Sequence, residues 1–160
     1  MPVFERSFTV AAPLPEVAAF HDNPVSLADI TPPPVRVTIQ RFDEPVCAGS
    51  RVTFRLGVGP FGVTWDGTIA EYVDQQYFRD VQNTGPFDAW SHTHSFTAEA
   101  GGTRVNDRVE YEPPFGLIGK LIDPIVVRPS LAFMFKYREK KTRELLEQGL
   151  QILKRNTVYR

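Results

Sequence analysis

Cys47 is the one cysteine in 160 residues, so the chain can form no internal disulfide. Folding must rest on burial, and a chain of this length can cover about 70% of its unfolded surface without a covalent staple. The lone thiol fits a reducing compartment. An excess of charge is missing as well: eighteen lysines and arginines against nineteen acids leave a net −1. Nothing in that balance attracts a phosphate backbone, and nucleic acid is not an expected partner. Long apolar runs are absent too. Glu5 and Arg6 stand where a secretion signal would need its apolar core, and no stretch of the length a bilayer requires is uniformly apolar. The expectation is a cytoplasmic protein without stable membrane insertion.

Against those absences stand 42% hydrophobic and 12% aromatic residues, the profile of one globular domain spanning 1–160. Residues 2–10 alternate, with Phe4, Phe8 and Val10 on one side, and read as a strand with one buried face. Residues 11–21 and 26–30 read as two short helices, stopped by Asn23-Pro24 and by Pro32 to Pro34. From Val35 to Tyr111 six further strands follow: near 35–39, 52–56, 65–72, 77–83, 87–98 and 104–111. Turn-forming groups at 48–50, 59–62, 84–86 and 101–103 separate them, which predicts an antiparallel meander. From Ser130, a candidate cap, a long helix is expected. Leu131, Met134, Phe135, Leu145, Leu146, Ile152 and Leu153 share one face of it, and Gly149 weakens its end. A curved sheet must cover its apolar face, and only this helix is long enough. The predicted class is therefore α+β: about seven antiparallel strands wrapped around a long C-terminal helix.

This order resembles the START/SRPBCC superfamily, the helix-grip fold of polyketide cyclase/dehydrase-like and pollen-allergen-type proteins. The likeness runs over nearly the whole chain. Its most specific stretch is Phe78 to Phe96, FRDVQNTGPFDAWSHTHSF, similar to a bacterial subgroup marked by W-x-H-x-H-x-F. The run Asp107 to Tyr111, then Pro114, Gly116 and Phe135 to Arg138, adds to it. The resemblance implies a cavity between sheet and helix and puts Asp80 beside it. It does not choose a function, because the superfamily carries ligands, cyclises polyketides or assists chaperones on one architecture.

The residues carry a chemistry of their own. His92 and His94 lie two apart in one strand and therefore share a face with Trp90 and Phe96, while small hydroxylated residues line the other. Both imidazoles should look inward. In the next strand Asp107 alternates with Val105, Val109 and Tyr111, so it too belongs inside. A turn around Ala100 and Gly101 sets His94 opposite Asp107; a turn one residue later sets it opposite Val109. Arg138 falls within the apolar stripe of the helix. An unpaired buried guanidinium is costly, so it should meet Asp107, Asp80 or Glu71, or the acidic group of a ligand.

Several roles fit this set: a satisfied polar network, ligand contact, or acid/base catalysis by His92 and His94 with Asp107 orienting them. The leading expectation is a binder of a hydrophobic or amphipathic small molecule, lipid, aromatic or polyketide-like. Its candidate contacts are Trp65, Phe78, Asp80, Trp90, His92, His94, Phe96, Tyr111, Met134 and Arg138. A cyclase or dehydratase is the rival, and a protein-interaction module the third reading. No cofactor is expected, and no metal, because H-x-H supplies two ligands and a third is not placed. His21 reads as a solvated or capping side chain, and Cys47 has no histidine neighbour to make it a nucleophile. Residues 115–127, apolar and broken by Gly116, Gly119 and Pro124, read either as a portal or as one more helical turn against the sheet.

Overall fold

Alternating side chains commit seven segments to strands, and the short turns between them leave pairing with the next strand as the simplest outcome. In the computed structural model, which describes residues 1–158 and side chains through residue 149, these strands are β1 (Val3–Val10), β2 (Arg36–Phe42), β3 (Arg51–Val58), β4 (Phe61–Val73), β5 (Tyr77–Thr84), β6 (Ala89–Glu99) and β7 (Gly102–Glu112). They form one antiparallel sheet in the order β1-β7-β6-β5-β4-β3-β2. The meander is as expected, and β1 closes it by pairing with β7 from Val3↔Glu110 to Val10↔Thr103. Register shifts leave Gln40 of β2, Ala70 of β4 and Asn83 of β5 as the extra residues of bulges, the devices that bend a strand and tighten its twist. Two short helices, α1 (Leu14–Asp22) and α2 (Ser26–Asp29), fill the connection from β1 to β2.

One turn is tighter than its composition suggests. Phe61 and Gly62 pair within the sheet, opposite Val58 and Gly57, so only Gly59 and Pro60 make the bend.

The long helix differs from expectation at its start. Residues 115–127 are helical: α3 (Gly116–Ile122) runs into a π-helical turn (Asp123–Val127) and on into α4 (Arg128–Val158). The wide turn accommodates Pro124 within the helix. The Arg128 N–H reaches back five residues to the Asp123 carbonyl, and Pro124 sits where an N–H is dispensable. Ser130 is then no cap; its hydroxyl donates to the Val126 carbonyl at 2.7 Å. Gly149 does not end the helix. No described helix is long and apolar enough to cross a membrane.

Leu131, Phe135 and Thr142 of α4 are buried against the sheet, and Leu146 packs on a second core group around Phe8, Val10, Val17 and Phe78. Leu145 is exposed instead, and the side chains of Ile152 and Leu153 lie outside the described ones. Polar contacts tie the same helix to β1. Arg6 bonds Glu139, Arg143 Nε donates to the Thr9 carbonyl at 2.9 Å, and Glu147 accepts from the Ala11 N–H at 3.1 Å.

The β6–β7 hairpin depends on a glycine. Gly102 has φ +154°, and a Cβ there would stand 2.0 Å from the Val10 carbonyl oxygen, in the backbone of the paired strand. Gly102→Ala should therefore lower stability by about 2–4 kcal/mol. Gly149, an exposed helical site with open space around it, is the counter-case. Gly149→Ala should raise stability by about 0.5–1 kcal/mol. Urea denaturation of both variants checks the pair, and equal effects would refute the packing argument.

Candidate functional site

The inward faces of β5, β6 and β7 meet the buried stripe of α4, and every ionisable group on them must find a partner there or lose its charge. The hairpin takes the register with His94 opposite Asp107, its turn at Ala100 and Gly101. Asp80 lies opposite His92 across the β5–β6 pair. His92 and Asp107 are both almost completely buried.

Asp107 is the centre of this group. Its Oδ1 accepts from His92 Nε2 at 3.1 Å and stands 2.8 Å from His94 Nδ1. Burial alone would push its pKa upward; the two imidazoles outweigh that and hold it well below the usual carboxylate range. An ionised Asp107 can only accept, so His92 carries its proton on Nε2. The lone pair of His92 Nδ1 then faces Asp80 Oδ2 at 3.7 Å, too far for a hydrogen bond. Burial lowers the pKa of both histidines, and for His94 the neighbouring His92 adds to the effect. Both are neutral near pH 7. Burial moves Asp80 the other way, up to about 6.

Three polar atoms remain without an aligned hydrogen bond although they are sealed from solvent: His94 Nδ1, Arg138 Nε and Thr142 Oγ1. The short His94–Asp107 separation lies off the direction a ring nitrogen uses. Of the partners expected for Arg138, the protein carboxylate is not met: none comes within ion-pair distance of it among the described residues. Asp107 and Asp80 act on it only through their fields, its guanidinium lies over the Phe135 ring at 5.2 Å, and burial lowers its pKa. Glu71 is engaged elsewhere, with Arg79 at 2.6 Å.

These atoms line a pocket of about 500 Å³ between the sheet, α1, α2 and α4. Trp65, Phe78, Asp80, Trp90, Met134 and Arg138 are on its wall, as are His92, His94 and Asp107. Two expected contacts are not. Phe96 packs against His21 and Phe78 in the core, and Tyr111, wholly buried, donates its hydroxyl to Asp123 at 2.8 Å; burial first, and that bond second, push its pKa up to about 12.

His21 is the main residue that the sequence reading misplaced. It is half-buried and turned inward: its Nδ1 bonds the Val17 carbonyl at 2.8 Å, and its ring sits 5.7 Å from that of His94 on the pocket wall. The signal was its place at the end of α1, four residues after the buried Val17. Pro32 to Pro34, read only as a helix stop, also line the pocket, together with Phe54, Phe87 and Thr142.

Asp80, His92 and His94 offer one donor atom each within 4.8 Å of one another, the one such group among the described residues. The nearby Arg138 charge, on the same pocket wall, opposes a cation at that place.

No family model matches the chain, and no curated protein matches it. Solved structures do. A protein of Chromobacterium violaceum superposes with a TM-score of 0.74 at 15% identity, over 91% of this chain and 96% of its own. The di-domain ARO/CYC StfQ of the steffimycin biosynthetic pathway gives 0.71 at 12% identity, over 93% of this chain and 51% of its own. The nucleoside-diphosphate sugar epimerase of Corynebacterium glutamicum gives 0.68 at 23%, over 97% and 30%. At these identities the likeness is one of fold: the chain has an α+β helix-grip architecture, shared with the di-domain ARO/CYC StfQ.

The buried histidines make stability depend on pH. His21 is lowered to about 4 from 6.5, chiefly by burial, so between those values the native state binds fewer protons than the unfolded chain, and stability rises with pH. His92 and His94 act in the same direction. Asp80, raised to about 6, and Asp22, also raised by burial, oppose them on the acid side but are two groups against three. The urea midpoint should climb from about pH 4.5 to 7, with His21 contributing on the order of 2–3 kcal/mol. His21→Gln should flatten that slope, and a midpoint that is flat or falling in the parent protein would sink the assignment of neutral buried imidazoles.

Proposed function

We propose that the chain, acting as one unit over residues 1–160, binds a hydrophobic or amphipathic small molecule of lipid, aromatic or polyketide-like character between sheet and C-terminal helix. The observation that carries this is the company kept by the three unpartnered atoms. Arg138 Nε and Thr142 Oγ1 lie one helical turn apart, across from His94 Nδ1, on a pocket otherwise walled by Trp65, Trp90, Phe54, Phe87 and Met134. Each unsatisfied buried polar atom costs about 1–3 kcal/mol, so their concentration at one pole favours a ligand with a polar end there. The aromatic remainder suits its apolar body. A pocket of about 500 Å³ has room for roughly fifteen water-sized groups.

The choice of head group follows from charge. Near pH 7 Asp107 and most of Asp80 are ionised, Arg138 is positive and the histidines are neutral, so the pole is already negative. A neutral head that accepts from Arg138 and donates to Asp80, a hydroxyl-carbonyl pattern, fits it better than a second carboxylate.

Acid/base catalysis is the second reading, favoured by the hydrogen bond that fixes the tautomer of His92. His92 or His94 would serve as base, with Asp107 orienting them. Loss of turnover in His94→Ala with retained ligand affinity would support it.

Native mass spectrometry of the purified protein should reveal a co-purified small molecule or uptake of added decanol or anilinonaphthalene sulfonate. Arg138→Gln and Thr142→Val should each weaken decanol binding about five- to tenfold. A protein that accepts none of these probes, and carries nothing from the cell, does not act as a container.

A further inference from the structure

Helix α3 and the turn after it reverse the usual arrangement of an amphipathic segment. The residues that face the protein are small or polar: Gly119, where a Cβ would meet the Pro114 carbonyl oxygen at 1.9 Å, and Asp123, held by the Tyr111 hydroxyl. The residues that face outward are large and apolar. Phe115, Leu117, Ile118, Leu121, Ile125 and Phe133 are each between 63 and 85% exposed. Gly119 and Asp123 are four residues apart, on one helical face, so close packing and a hydrogen bond hold this orientation. Water is a poor neighbour for so many contiguous apolar side chains.

Charge separates the candidates for what covers them. From Pro113 to Tyr137 the only acid is Asp123, and it is buried, whereas Lys120, Arg128 and Lys136 are all exposed. Glu112 at the edge of this surface holds Lys120 at 2.9 Å, and Arg128 and Lys136 make no ion pair with the described residues. The segment is cationic in a chain whose net charge is −1. A twofold dimer through this face would set the same cations against each other. An anionic lipid surface matches both features: acyl chains take the apolar side chains and head groups take the cations. We propose that residues 115–136 form a docking surface for an anionic bilayer, entered peripherally, with no segment crossing it. Val127, Leu131, Phe133 and Met134 also line the pocket, so docking brings the mouth of the pocket to the membrane.

The test is co-sedimentation of the full chain with vesicles of phosphatidylcholine alone and with about 30 mol% phosphatidylglycerol, alongside its mass in solution by light scattering. The expected result is binding to the anionic vesicles that weakens with salt. Leu117→Asp with Leu121→Asp should reduce it at least tenfold; Arg128→Glu with Lys136→Glu should reduce it severalfold and remove the salt dependence. All four side chains are exposed, and circular dichroism confirms that the variants fold. No sedimentation with the anionic vesicles overturns the proposal. So does a dimer in solution that Leu117→Asp with Leu121→Asp turns into a monomer while vesicle binding is absent, which would assign the face to a second copy.

Discussion

One long helix has to cover the concave face of a seven-stranded sheet, and most of the other features follow from that requirement. The bulges of β2, β4 and β5 bend the sheet, and Glu139, Arg143 and Glu147 tie the helix to β1 and the residue after it. Attachment along one edge leaves the opposite side free to stand off. Phe8, Phe78, Phe96 and Val105 close the core where Leu146 descends onto it, whereas nearer the start of α4 the wall opens into the pocket. Packed core and pocket are thus two lengths of the same interface, and the side chains of one helix stripe decide where one becomes the other.

The buried Asp107 shows how polar groups are kept inside such an interface. A lone carboxylate there would take up a proton; two imidazoles from the neighbouring strand keep it ionised, and its charge in turn limits how far burial can lower their own pKa values. Removing one histidine would leave Asp107 with half of its support, so His92 and His94 are coupled in stability whatever they do for function. Their effects should be read from double variants rather than from single ones.

Where period and turn chemistry agreed, the sequence was a sufficient guide. Two-residue alternation put His92, His94 and Asp107 on inner faces, and a two-residue turn at Ala100 and Gly101 then sufficed to pair His94 with Asp107. It failed where a local rule was answered by a distant or irregular contact. Pro124 left residues 115–127 open between a portal and a further helical turn; the π turn holds it within a helix, a geometry no propensity scale encodes. His21 belongs to the site only because α1 folds over β6, and Phe96 and Tyr111 miss the pocket because neighbours at a distance in sequence cover them. For Arg138 the cost of an unpaired guanidinium called for a protein carboxylate or the acidic group of a ligand; no carboxylate of the described residues pairs with it, and the protein groups leave that cost unrelieved.

A cost left standing in the middle of a core argues for a use. Replacing Arg138 and Thr142 by apolar residues would relieve two unsatisfied atoms at once and fill part of the pocket, so stability alone gives no reason for either. They occupy successive turns of the stripe whose other members, Leu131, Met134 and Phe135, are apolar, and they fall where that stripe passes over the His92–His94–Asp107 group. A helix that is apolar at its mouth end and polar at its deep end grades the pocket from one solvent character to the other. An amphipathic molecule entering past Phe133 and Met134 would meet that gradient in a single orientation, body against the tryptophans and head toward Arg138, and the unsatisfied groups would then be paired only when it had arrived.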